Sequence, residues 1–363
     1  MSNRIIFHIP MHLSRNQTSA SEIRPFKLIT AFQNLGYDVD VVEGYGKDRK
    51  QQIATIKEKI RNSQHYDFLY SESSTMPTLL TESHHFPTYP CLDFSFFAFC
   101  KKHNIPVGLF YRDIHWCFVN KNRDWKQRIA RLFYRYDLWK YNNLLDVLFL
   151  PSKEMLPHIP IHFKGKVTEL PPGCEIHNET HYETRDCINL LYVGGVGGNY
   201  DLLPLLKAVA QCPFVRLTIC CRPDDWENIR GKYAGMMPKN AIVVHKSPED
   251  LPPYYANSDL FAIFFSGGYW DFSVPFKLFE AIGFGIPLIA AEGAWCGKFV
   301  RENGIGCTVP WDAEALTAEL ANIHRDKRIL LDLRQRTKAL SPQHTWENRC
   351  RLIAETLTKK NSK

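Results

Sequence analysis

Short apolar runs alternate with amphipathic or polar stretches along this chain, and the series is played twice, which restricts the fold to layered α/β architectures. Ile5 to Pro10 reads as a strand, Ser21 to Leu35 as an amphipathic helix, and Asp38 to Val42 as a second strand. Asp67 to Ser71, Pro106 to Tyr111 and Val147 to Leu150 continue the first series. Asn189 to Val193 opens a second one, followed by a helix near Leu202 to Gln211 and strands at Arg216 to Cys221, Ala241 to Val244, Leu260 to Phe264 and Pro287 to Ala291. Strands that alternate with helices predict parallel sheets built from right-handed crossovers. Pro171, Pro172 and Gly173 precede a polar stretch, HNETHYETRD, so the boundary is expected between Leu170 and Cys187. The expected division is residues 1–172, residues 173–342, and a final helix within 343–363.

A chain of 363 residues is too long for one ordinary core and fits two domains of about 150 to 200 residues each. With 45% hydrophobic and 23% charged residues, its composition is that of an ordinary globular protein. No stretch approaches the roughly 18 uninterrupted apolar residues of a membrane-spanning helix. The apolar run in MSNRIIFHIP is too short for a secretory signal, so the chain is expected to stay in the cytoplasm. Eleven cysteines scattered from Cys91 to Cys350 form neither C-x-x-C pairs nor a regular framework, which fits reduced thiols.

The most telling chemistry sits in Val274 to Ile289, VPFKLFEAIGFGIPLI. Lys277 and Glu280 are three residues apart and share one face of a short helix. Pro275 suits the first helical turn, and Gly283 and Gly285 end the helix before a strand. An ammonium at a helix start, backed by backbone N–H groups, suits a phosphate; a carboxylate one turn later suits neighbouring sugar hydroxyls. Together they fit a nucleoside diphosphate with its ribose. The plainer reading is a solvated ion pair.

The segment from Leu251 to Gly306 resembles the donor half of GT-B glycosyltransferases of the large retaining group, glycosyltransferase family 4. Its P-x-K-L-x-E-x-x-x-x-G-x-P pattern is the later part of that family's two-glutamate signature. The resemblance implies two Rossmann-like domains facing a central cleft, with the final helix, about Gln343 to Thr358, packing back on the first domain. It further implies that Glu280 holds the ribose, that Lys277 lies near the donor, and that a sugar moves from a nucleotide-diphosphate sugar to a glycan or lipid-linked acceptor in cell-envelope polysaccharide synthesis. UDP is the expected nucleotide, and no metal or other cofactor is expected. Phe272 stands where the earlier glutamate of the signature falls, with Asp271 beside it. A GT-B epimerase or phosphorylase and a catalytically silent partner subunit are the alternatives.

Ligands of open α/β folds bind beyond the C-terminal ends of the strands, so the loops there nominate the remaining candidates. In GGVGGN, Gly194, Gly195 and Gly197 let the backbone approach a ligand, and the next helix start offers N–H groups. By resemblance this loop covers the donor diphosphate, although Asp201 and Leu202 stand where relatives carry basic residues. Arg222 follows a strand and is either a phosphate ligand or a surface arginine. Tyr269, in SGGYWDF, either stacks on a base or sugar or packs internally. In YRDIHW, Arg112 and Asp113 are catalytic candidates and His115 and Trp116 acceptor-side candidates; a loop-organising Arg–Asp pair is the other reading. Ser19 lies where relatives place glycines near the donor. Asp38 and Asp40 mimic a metal-binding D-x-D but alternate along a strand, so no metal is predicted.

The net charge of +7 is concentrated in part between Lys121 and Lys140, where seven basic residues interleave with Trp125, Ile129, Leu132, Phe133, Tyr136 and Trp139. Such a helix reads as an element that meets an anionic membrane surface peripherally, or as an ordinary helix with a solvated basic face. No nucleic-acid module is recognisable, and no nucleic-acid partner is expected.

Overall fold

A computed structural model describes residues 3–13, 20–118, 125–178, 186–198, 200–265 and 267–359. The chain divides into two compact units, one of residues 1–172 with 346–363, the other of residues 173–345.

The first unit holds the strands β1 (Arg4–His8), β2 (Asp38–Val42), β3 (Phe68–Glu72), β4 (Val107–Phe110), β5 (Val147–Leu150) and β6 (Lys166–Glu169). They form one sheet in the order β2-β1-β3-β4-β5-β6, with every pairing parallel. Between them run α1 (Ala20–Asn34), α2 (Gly46–Arg61), α3 (Leu92–Lys102), the single turn α4 (His115–Phe118) and α5 (Trp125–Leu144). β3 and β4 are buried along their whole length, as expected of central parallel strands covered on both faces.

The second unit repeats the plan with β7 (Ile188–Val193), β8 (Val215–Cys220), β9 (Ala241–Val244), β10 (Leu260–Ile263), β11 (Leu288–Ala291) and β12 (Gly306–Val309), in the order β12-β11-β10-β7-β8-β9 and again all parallel. Its helices are α6 (Leu203–Gln211), α7 (Pro223–Tyr233), α8 (Pro252–Ala256), α9 (Phe276–Gly283), α10 (Trp295–Asn303), α11 (Ala313–Arg325) and α12 (Arg328–Leu340).

The last helix, α13 (Trp346–Thr358), belongs to the first unit. It packs on α1, where the Cys350 thiol lies 3.4 Å from the Leu28 carbonyl. Gly108 in β4 makes room for it: a Cβ there would come within 2.9 Å of the Leu357 side chain. The expected start at Gln343 differs from the structure, because Ser341–His344 forms a 3-10 turn and Thr345 is extended before the helix begins. Thr345 forms a parallel bridge with Cys174, and the Cys174 N–H donates to the His344 carbonyl at 2.8 Å. These contacts occupy the backbone groups that a continuous helix would have used.

Two strands, β6 and β12, went unread in the sequence. Both are sheet edges, exposed or half-buried except at Val309, and KVTE and GCTV carry too little apolar content to stand out.

α5 is two-sided. Tyr134, Asp137, Leu138 and Tyr141 are buried, and this face grips residues 75–80. The Thr78 N–H donates to Asp137 Oδ2 at 2.6 Å, while Asp137 Oδ1 has no hydrogen-bond partner among the described residues. Burial, only partly offset by the bonds from Thr78, pushes the Asp137 carboxyl up to about 7. The folded state therefore holds this proton more tightly than the unfolded chain, whose carboxyl titrates near 3.9. The resulting stability is complete below about pH 4 and is lost as the pH rises through about 7. Asp137→Asn, neutral throughout, is expected to gain thermal midpoint relative to wild type between pH 5 and pH 8, by about 5 °C. Melting curves of both proteins at the two pH values check this; an offset that does not change with pH refutes it.

Candidate active site

In each sheet the chain leaves the first strand in one direction and later returns to its other side. The reversals lie between β1 and β3 in the first unit and between β7 and β10 in the second. Loops beyond such a reversal splay apart, opening a crevice at the C-terminal strand ends where open α/β sheets take their ligands. The glycine loop after β7, SGGYWDF after β10 and YRDIHW after β4 all leave C-terminal strand ends.

After β10 the chain enters α9 through Pro275, which caps the helix without a side-chain hydrogen bond. The first turn holds no acidic residue and carries Lys277, a cation at the end of the helix where the backbone dipole disfavours one. The cost is met locally: Lys277 Nζ donates to Glu280 Oε2 at 2.7 Å, and both side chains are about one quarter exposed, at 25%. The Tyr255 hydroxyl donates to the same oxygen at 2.7 Å. Glu280 Oε1 accepts no hydrogen bond among the described residues and is available to a ligand hydroxyl.

Tyr255 was not nominated from the sequence, since nothing in PPYYA marks which tyrosine faces Glu280. It is 2% exposed and stacked on Phe284, with centroids 4.9 Å apart, so its hydroxyl is rigidly aimed. Burial first, and then the Glu280 carboxylate, hold its phenol proton well above the ordinary range, keeping it a donor. α9 itself is fixed at its far end, where a Cβ on Gly283 would lie 2.1 Å from the Glu175 carbonyl oxygen.

The glycine loop is shaped by aromatic packing. A Cβ on Gly195 would meet the Tyr200 ring at 3.1 Å, and one on Gly197, at φ +83°, would meet Ile229 at 3.0 Å. Tyr200 in turn packs edge-on to Phe265 and Trp270, at 5.5 and 5.1 Å. The Gly194 N–H donates to the Cys220 carbonyl at 3.0 Å, which sets the start of the loop beside the end of β8 and so near Arg222, an exposed residue at the head of α7. The helix start after the loop is largely occupied. Asp201 Oδ1 accepts from the Leu203 N–H, the Tyr233 hydroxyl bonds the Leu202 N–H, and Pro204 has no N–H. This corrects the expectation that α6 offers its first N–H groups to a phosphate; the acid at Asp201 satisfies them internally.

Tyr269 is half-buried and lies edge-on to Trp270 and Phe272. Phe272, at the place of the missing signature glutamate, is 2% exposed and belongs to this aromatic packing, whereas Asp271 is exposed.

In the first unit the structure separates the residues of YRDIHW. Arg112 does not pair with Asp113. Its Nε donates to the Ser73 carbonyl at 2.8 Å and one terminal nitrogen to the fully buried Glu72 at 3.0 Å. Glu72 also holds Arg24 Nε at 2.8 Å and the Tyr70 hydroxyl at 2.8 Å. Burial, with Arg24 as a second nearby cation, lowers the Arg112 guanidinium pKa, although Glu72 opposes the shift. Trp116 is likewise internal: it stacks on Tyr134 at 5.0 Å and donates from Nε1 to the Tyr111 hydroxyl at 3.0 Å. Asp113 Oδ1 accepts the His115 N–H at 2.9 Å, capping the short turn α4, and the His115 ring, 44% exposed, lies 3.7 Å from Asp113 Oδ2. Ser19 lies outside the described residues. Asp38 and Asp40, the D-x-D look-alike, are engaged by Arg4 and Lys59.

Two all-parallel six-stranded α/β units, one presenting a cation and a carboxylate on a short helix, define a GT-B architecture. Residues 188–326, most of the second unit, match the family described as glycosyl transferases group 1. No curated protein sequence matches the chain. Among solved structures it is similar to sucrose-phosphate synthase from Thermosynechococcus elongatus, at 14% identity over 98% of both chains with a TM-score of 0.64. HepE of Anabaena, solved in complex with UDP-glucose, shares 14% identity over 98% of this chain and 100% of its own, with a TM-score of 0.64. WaaG, a glycosyltransferase involved in lipopolysaccharide biosynthesis, shares 13% identity over 98% and 100%, with a TM-score of 0.59.

Proposed function

We propose that the protein is a retaining, metal-independent hexosyltransferase that moves a sugar from a UDP-sugar to a glycan or lipid-linked acceptor in cell-envelope polysaccharide synthesis. The observation that carries this reading is the convergence of Lys277 and Tyr255 on one oxygen of Glu280 at the head of α9, with the other oxygen open. Glu280 holds the ribose hydroxyls of the donor. Lys277, the first backbone N–H groups of α9 and Arg222 stabilise the diphosphate as the bond between the anomeric carbon and its oxygen breaks. The acceptor oxygen attacks from the same face of the sugar and gives its proton to the departing diphosphate. Gly194, Gly195 and Gly197 let the backbone lie against the diphosphate, and Tyr269 borders the donor. Asp113 orients the acceptor side together with His115, while Arg112 and Trp116 support that loop from beneath. The basic, aromatic face of α5 favours work at the cytoplasmic face of a membrane; no helix among the described residues is long and apolar enough to cross one. That HepE was solved with UDP-glucose supports the choice of donor.

The test is a panel of UDP-, GDP- and ADP-sugars scored by thermal midpoint and by nucleotide release. A UDP-sugar at about one hundred times its Kd is expected to raise the midpoint by roughly 5 °C. No shift with any member of the panel refutes the reading. Tyr255→Phe is expected to weaken donor use by about 10- to 150-fold in kcat/KM, the size of one hydrogen bond to a charged partner. An unchanged value assigns the tyrosine to packing alone.

A second reading is favoured by Phe272, whose burial leaves no carboxylate at the first signature position: a silent GT-B subunit that binds glycan without transfer. Donor stabilisation without nucleotide release under any acceptor condition would select it.

A further inference from the structure

The first half of α5, the segment from Met76 to Pro87 and the turn at His115 and Trp116 line a half-open pocket of about 720 Å³ within the first unit. The volume lies in the range that takes one chain-bearing organic ligand. Its walls are apolar, with Leu80, Phe86, Trp116, Ile129 and Phe133 among them. Lys126, Arg128 and Arg131 also line it, and among the described lining residues there is no carboxylate. The same stretch of helix exposes Trp125 and Leu132, each at 66%. A helix that merely lies on a membrane needs an apolar face but no concavity. A half-open apolar pocket bordered by several cations and, among the described residues, no carboxylate fits a single hydrocarbon chain with an anionic head.

Resting on the transferase reading above, we infer that this cavity receives the hydrocarbon chain of a phosphate-bearing lipid acceptor, its phosphate meeting Lys126 and Arg128. His115, nominated from the sequence as acceptor-side, lines the same cavity, with Asp113 3.7 Å from its ring. The chain anchors the acceptor here, and its sugar-accepting end extends toward Asp113.

The probes are octyl, decyl, dodecyl and tetradecyl phosphate below their micellar concentrations, read by the fluorescence of Trp116 and Trp125. Affinity is expected to rise roughly three- to fourfold per methylene and to level off when the cavity is full. An alkyl glucoside of matched length is expected to bind at least tenfold more weakly. Ala130→Trp, which fills the cavity from a half-buried lining position, and Ile129→Asp, which places an anion in it, are each expected to weaken binding more than tenfold. Both are expected to keep the wild-type melting temperature and acceptor-independent release of UDP from UDP-sugar. Equal affinity along the series, wild-type affinity in both variants, or binding only to anionic vesicles and never to monomeric probe would each overturn the inference. Failure of wild type to use any nucleotide sugar defeats the transferase reading in its own assay, and the alkyl phosphate series still decides the cavity.

Discussion

Lys277→Ala is expected to lower transfer turnover by about 10²- to 10³-fold, the effect of removing one charge from the site where a leaving diphosphate develops negative charge. The melting temperature is expected to move by less than about 2 °C, because a partly exposed i,i+3 ion pair contributes only about 0–1 kcal/mol to folding. The separation of the two effects is the informative part. A residue kept for the fold loses stability when truncated. Lys277 instead sits where the helix dipole opposes it, and Glu280 loses only one of two donors when it goes. Glu280→Gln is expected to act differently, since it weakens the hold on the ribose in the ground state as well as the transition state. KM for the donor rises about tenfold with a smaller fall in kcat. Steady-state kinetics with a matched UDP-sugar and acceptor, alongside melting curves, check both variants. Turnover of Lys277→Ala within threefold of wild type would show that the pair is a solvated ion pair and nothing more.

The second large effect is one of stability. Arg49 lies 2% exposed and holds Asp93 with two parallel bonds, Nε to Oδ1 at 2.9 Å and a terminal nitrogen to Oδ2 at 3.0 Å. His8 Nε2 meets Asp93 Oδ1 at 2.9 Å, and its Nδ1 meets the Ser71 hydroxyl at 2.8 Å. Arg49→Met is expected to cost about 3–5 kcal/mol, roughly 10 °C, because it leaves a buried carboxylate without its cation. The pH dependence follows from the same cluster. Burial alone would raise the Asp93 carboxyl, but His8 and Arg49 outweigh it and hold it down at about 2. Its contribution is therefore present above about pH 4 and lost as the pH falls through about 2. Burial lowers the His8 imidazole below its ordinary value near 6.5 despite the pull of Asp93, so its contribution is present above that value and declines as the medium acidifies below it. Both act in one direction, opposite to Asp137, so in an Asp137→Asn background the melting temperature is expected to fall steadily from pH 7 to pH 3. In Arg49→Met the loss is flatter at the acid end, where Asp93 is no longer held so low. A substitution that leaves the midpoint within 2 °C of wild type would refute the role given to this cluster.

The parallel strands were legible because central strands buried on both faces are short apolar runs with little else to be. Val147–Leu150, Leu260–Ile263 and Leu288–Ala291, buried along their whole length, fall within the runs the sequence marked. Edge strands lack that signature: β2 and β9 stood out only through the valines and isoleucine of DVDVV and AIVV, and β6 and β12, with KVTE and GCTV, were passed over. The helix bearing Lys277 and Glu280 was legible for a different reason, its chemistry being confined within one turn of chain. Pairings across the sheet were not. Arg112 looked like the partner of its neighbour Asp113, yet adjacent residues on an extended loop diverge, and the guanidinium reaches back to Glu72, forty positions earlier in sequence. Tyr255 likewise meets Glu280 only because α8 and α9 flank β10, a relation that no local pattern encodes. Trp116, read from the sequence as an acceptor-side aromatic, stacks on Tyr134 and also lines the pocket beside it.

The return of α13 to the first unit has a consequence for biosynthesis. A nascent chain emerges from the ribosome in order, and the surface of α1 around Leu28 has its cover only after residue 358 has cleared the exit tunnel. The second unit, contiguous from residue 173 to residue 345, can close while translation proceeds. The portion made first is thus the portion finished last, and until then its bare helix face is what a chaperone would meet.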